Sequence, residues 1–202
     1  VIVEITRGGS GGSKLSVEVG DVRGKNALRV IYPDEDIVYP ALDRWSNSTF
    51  SVGRDGTWGN ERGNWGTGRR VRVQGSGGGL EAWADLRILV PAGKHVEVNQ
   101  GVGELSATRV NADLRLDVAS ARVTVSGTKG NLWVDAGAGG LDVRDASGDD
   151  ITLETGSGGV QVHGLSGRRL KLDTGSGGLN GGSITADELN ADVGSGSIRL
   201  DD

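Results

Sequence analysis

From residue 94 onward, apolar and polar positions alternate in short runs of strand period, and the runs come in pairs around a small-residue corner. The corners are Gly101-Val-Gly, Ala119-Ser-Ala, Gly137-Ala-Gly, Gly156-Ser-Gly, Gly175-Ser-Gly and Gly194-Ser-Gly, whose first residues lie 18, 18, 19, 19 and 19 apart. Before the corners stand Val96 and Val98, Leu114 and Leu116, Leu132 and Val134, Ile151 and Leu153, Leu170 and Leu172, and Leu189 and Ala191. After them stand Leu105 and Ala107, Val123 and Val125, Leu141 and Val143, Val160 and Val162, Leu179 and Gly181, and Ile198 and Leu200. A third inward position recurs at Val110, Thr128, Ala146, Leu165 and Ile184.

A unit this short cannot bury its apolar side alone, so successive units must stack rung on rung. The pattern predicts an all-β chain whose residues 93–202 form a parallel β-solenoid of about six rungs, each advancing roughly 4.8 Å. Glycine at the corners supplies positive φ or room for close backbone approach. Ala119 and Ala121 predict one corner that tolerates side chains, and the extra residue of later units is expected between Ala146 and Asp150. Residues 1–92 read as an irregular β cap on the first rung, with strands near 1–6, 15–19, 27–31, 71–74 and 86–90, the whole chain forming one domain. A Trp- and Gly-rich insertion, 40–68, reads as a long loop. Beyond Ile198 and Leu200 only Asp201 and Asp202 blunt the last strand, an edge open to end-to-end self-association.

Composition narrows the chemistry. There is no Cys, which removes disulfides and thiolate sites, and only two His, His95 and His163, which makes zinc sites and Ser-His-Asp catalysis poor readings. Gly8-Gly-Ser10-Gly-Gly12 matches a nucleophile-elbow spacing but lacks the strand-to-helix setting and a triad histidine. The net charge of -5 argues against nucleic acid as a partner. The chain begins at Val1 and holds no Met, which implies removal of preceding residues, by signal processing or by trimming.

Two features are candidates for binding. The outward positions two residues before each corner are Asn99, Asp117, Asp135, Glu154, Asp173 and Asp192, which stacking aligns into an acidic column. An all-oxygen column suits Ca²⁺ if it binds any metal. The plain alternative is a solvated face, partly neutralised by Arg115 and Lys171 and needing no cofactor. A calcium-roll nonapeptide is missing, Gly137-Ala-Gly-Gly-Leu-Asp142 being a partial echo. The second candidate is Trp45, Trp58 and Trp65 among Asn, Ser, Gly and Arg, a composition suited to stacking on sugars or equally to a small satellite core. Trp133 points outward by alternation.

The run Leu86-Arg-Ile-Leu-Val-Pro91-Ala-Gly, then Val96-Glu-Val-Asn-Gln-Gly101-Val-Gly, then the repeated Gly-Ser-Gly-Gly units resemble the bacterial adhesin-like family of glycine-rich β-strand repeat proteins, a domain of unknown function, over about residues 70–202. The resemblance implies an extracytoplasmic or envelope-associated repeat protein with no established catalytic residues. The stretch 40–68 departs from the repeat. The leading expectation is therefore a non-enzymatic extracytoplasmic binding or scaffold protein, reached after removal of an N-terminal signal, with a surface glycan or envelope protein as partner. Its rivals are a polysaccharide-active solenoid enzyme and an end-to-end assembly module.

Overall fold

A computed structural model describes residues 1–53 and 68–201. By its internal contacts the chain divides into two units, one of Ile2–Leu89 and the other, with Val1, of Val90–Asp202.

The first unit holds β1 (Ile2–Gly8), a 3-10 turn (Gly12–Lys14), β2 (Ser16–Val22), β3 (Lys25–Ile31), β4 (Asp36–Val38), β5 (Asn47–Val52), β6 (Arg69–Gln74), β7 (Leu80–Glu81) and β8 (Trp83–Leu89). β1 runs antiparallel to β8, β2 pairs with β3, and β5, β6, β4 and β7 form a small sheet in that order. Leu15, Ile37, Val38, Val71, Val73, Leu80 and Ala82 are its buried apolar residues. The reading of 40–68 as a loop needs correcting, because β5 lies inside it and sets Phe50 opposite Val71 in an antiparallel pair. The strand signal there is one ring and one Val between Ser and Thr, too little apolar surface to stand out from its polar surroundings.

The second unit is the predicted solenoid. Its strands are β9 (His95–Thr108), β10 (Asp113–Ser126), β11 (Leu132–Ala138), β12 (Leu141–Ser147), β13 (Asp150–Ser157), β14 (Val160–Ser176), β15 (Leu179–Ser195) and β16 (Ile198–Asp201). Each pairs in parallel with its equivalents one unit before and after. Val96, Leu114, Leu132, Ile151, Leu170 and Leu189 form one inward column, and Leu105, Val123, Leu141, Val160, Leu179 and Ile198 another. Ala146, Leu165 and Ile184 align as the third. The core dries out toward the middle: Val123, Val125, Val134, Val143, Leu153 and Leu172 have no exposed surface.

Register also locates the extra residue. Lys129 bridges to Ser147 at a spacing of 18, whereas Ser147 pairs with Ser166 at 19, and Leu132 with Ile151 at 19, so the addition falls between Ser147 and Asp150 as expected.

The corner glycines are needed where they stand. Gly139, Gly158, Gly177 and Gly196 all have φ between 129° and 149°, and a β-carbon on any of them would collide with the carbonyl oxygen of the residue one rung below. Ala121 is the exception the sequence pointed to: no positive φ is found there, β10 continues through the corner, and the methyl group is buried.

Candidate functional site

The outward face of the first solenoid sheet is built from three columns that the parallel register sets side by side. The outermost runs His95, Asp113, Asn131, Asp150, Arg169, Glu188, the middle one Glu97, Arg115, Trp133, Thr152, Lys171, Asn190, and the one nearest the corner Asn99, Asp117, Asp135, Glu154, Asp173, Asp192. The predicted acidic column is therefore real. Asp117, Asp135, Glu154 and Asp173 are half-buried within it, and Asp192 is exposed.

Most of this face satisfies itself. Asp113 accepts a hydrogen bond from the Asn131 backbone N–H at 2.8 Å, and Asn131 accepts one from the Asp150 N–H at 3.0 Å, so the outer column clips rung to rung. Arg169 then grips Asp150 with two bonds of 2.6 and 2.8 Å, which holds the Asp150 carboxyl below the usual carboxylate range. Lys171 hydrogen-bonds Glu154 and lies 3.8 Å from Asp173; the Glu154 bond, foremost, raises the lysine above its ordinary value.

Two positions stand apart. The Arg115 guanidinium carbon lies 3.5 Å from the centroid of the Trp133 ring, a close cation–π stack between register partners on neighbouring rungs. Beside it Asp135 makes no hydrogen bond or ion pair to any described residue. Burial raises its carboxyl above the ordinary range, the Glu154 charge one rung away adds to the rise, and Arg115 opposes it. The face carries nine carboxylates against Arg115, Arg169 and Lys171, so its field is negative. Among the described residues no group of three or more acidic or imidazole side chains converges in a way that could hold a metal ion.

The other predicted site residues are not gathered with these. Trp45, in the first unit, is 83% exposed, with the Arg44 guanidinium 5.4 Å from its ring centroid. Trp58 and Trp65 lie outside the described residues. His163 sits on the second outward face, in register with Arg144 and Gly182. Sequence reasoning placed Trp133 outward but missed its partner, although the 18-residue repeat puts Arg115 one unit before it.

No curated protein and no solved structure matches the chain significantly. Residues 67–202 match the model of the Toastrack DUF4097 family, an uncharacterised domain of repeat-built β-solenoid type, over the solenoid and the strands that precede it. With two thirds of its length matched and the stacked register in place, the chain belongs to the Toastrack DUF4097 family.

Proposed function

We propose that this protein is a non-enzymatic binding or scaffold protein that works outside the cytoplasm, presenting the outward face of its first solenoid sheet to a partner in the cell envelope. The observation that carries the reading is the Arg115–Trp133 stack. A sheet face that only needs to stay wet has no use for an indole, and a large ring fixed by a guanidinium on a rigid sheet is the kind of anchor that contributes most to binding. The surrounding carboxylates set the partner's sign: cationic or neutral surfaces are favoured, and polyanions such as nucleic acids are repelled. The role needs no cofactor.

The test is a binding screen of the whole chain against envelope glycans and envelope proteins, read by tryptophan fluorescence and repeated with Trp133→Ala. A partner bound by the parent and at least tenfold more weakly by Trp133→Ala supports the reading. Equal binding by parent and variant moves the site elsewhere. Protease accessibility of the chain on intact cells tests the location.

A further inference from the structure

The second outward face carries a different feature. At Gly181 and Gly182 the repeat drops two side chains in succession. Gly181 stands where the inward column would place an apolar residue, and that space is filled by Leu200, Val162 and Ile184, any of which an added β-carbon would press at 2.8 to 3.0 Å. Gly182 is not accounted for in this way. It has no positive φ, and a β-carbon there would meet nothing closer than the His163 Nδ1 at 3.4 Å. Unlike the corner glycines, the backbone does not require it.

The missing side chain leaves a hollow. His163 and Asp201 are the register partners of Gly182 on either side, two rungs apart, which is roughly 9.6 Å between their backbones. Gln161 and Asn180 form the neighbouring wall, and the backbone of Gly181 and Gly182 lies at the base. The polar groups here differ from those of the first face. Arg144 is already clamped to Asp142 by bonds of 2.9 and 3.1 Å, but the side chains of Gln161, His163, Asn180 and Asp201 hydrogen-bond no described residue.

We propose that this hollow binds one ring of a neutral, hydroxyl-rich ligand, a sugar unit of an oligosaccharide. Each carboxamide offers a donor and an acceptor on one plane, the pairing that adjacent hydroxyls need, and Asp201 adds an acceptor. The bare Gly181 and Gly182 backbone forms a flat floor for the C–H face of the ring. Other ligand classes fit worse: a phosphate would face the Asp142 and Asp201 carboxylates, with Arg144 clamped to Asp142 and Arg199 beside Asn180 as the remaining cation, and an apolar ligand would find no outward apolar side chain. The inference rests on the reading of the protein as a binding scaffold, but on a face separate from Trp133.

The whole chain, nitrogen-labelled, is titrated with millimolar cellohexaose, chitohexaose and maltohexaose while backbone and carboxamide N–H resonances are followed. The expected result is a saturable shift with at least one of them, centred on Gly181, Gly182 and the side-chain amides of Gln161 and Asn180. Asn180→Ala should weaken it about tenfold, as loss of a hydrogen-bonding pair does. Gly182→Gln, which fills the hollow without straining the backbone, should abolish it, and Trp133→Ala should leave it unchanged. Binding by Gly182→Gln equal to the parent overturns the proposal. So does a set of shifts centred on Trp133, which would leave the first-face reading standing. Absence of any shift overturns the hollow as a sugar site and leaves a protein partner for the first face.

Discussion

Three buried threonines show how much one hydroxyl depends on its place in the stack. Thr155 and Thr174 follow the acidic column into the corner, and each donates to the carbonyl of a corner glycine one rung below, Gly139 at 3.2 Å and Gly158 at 3.0 Å. Thr128, in the third inward column, is equally buried and its hydroxyl has no partner among the described residues. A buried polar group without a partner costs more than an apolar one of the same shape. Thr128→Val is therefore expected to stabilise the protein by about 1 kcal/mol, and Thr174→Val to destabilise it by about as much, both read from urea melts. Equal effects of the two would contradict the hydrogen-bond assignment.

Asp135 belongs to the same scale. Because its carboxyl is raised in the folded state, the native protein holds that proton more tightly than the unfolded chain does, and stability falls as pH rises through the window between the two values. Asp135→Asn should raise the Tm at pH 7 by a degree or two, on the order of 0.5 kcal/mol at a partly solvated site. The gain should vanish below the unfolded-chain value of about 3.9, where the aspartate is protonated in both states. A gain that persists at low pH would point to a cause other than charge.

At the scale of elements, the two corners of a rung differ in how they were encoded. The first was legible as Gly-Ser-Gly because stacking in register brings each carbonyl against the α-carbon above, and only glycine fits. Gly158→Ala is expected to cost more than about 2 kcal/mol, since it combines a φ of 145° with a collision against the Gly139 carbonyl. Gly182→Ala, with neither problem, should stay within about 0.5 kcal/mol of the parent, and parallel thermal melts compare the two. The second corner was not legible. Residues 109, 127, 145, 164 and 183 all take left-handed backbone, yet Arg109, Asp145 and Ser183 are not glycine. Each such residue costs roughly 1 kcal/mol, a penalty the dry core on either side outweighs, so no composition signal marks the turn. The Arg115–Trp133 pairing went unread, although counting the repeat through to the neighbouring unit places Arg115 below Trp133. The clip from Asp113 to Asn131 to Asp150 uses backbone N–H groups, which no residue pattern announces.

Over the whole molecule, regularity decides what can be read. The solenoid repeats the same problem of burying a thin apolar side, so its columns, its register and its outward face all follow from spacing. The first unit solves its packing once, with short strands paired in both directions, and no period connects Asp36–Val38 to the strands it joins. Candidate ligands divide the same way. The acidic column was predictable, but the hollow at Gly182 depends on which glycines the backbone could do without, and spacing carries no mark of that. A cation held by Asp135 and Glu154 in the folded state alone would raise the melting temperature. Since Glu154 is already engaged by Lys171, the scaffold reading expects millimolar Ca²⁺ to leave the Tm unchanged. A rise abolished by Asp135→Asn with Glu154→Gln would make the column a calcium site.

All of this depends on alternate side chains of a rung facing opposite ways, one set into a dry core and the other onto the presented face. The most direct test is a pair of melts on neighbouring residues of one strand, Leu153→Asp and Thr152→Asp. Leu153 has no exposed surface, so an aspartate there buries an unpaired charge in mid-stack and is expected to cost more than about 4 kcal/mol or prevent folding. Thr152 faces outward beside Trp133 and Lys171, and its variant should melt within a few degrees of the parent. If the two variants melted alike, the inward and outward assignment, and the working face built on it, would be wrong.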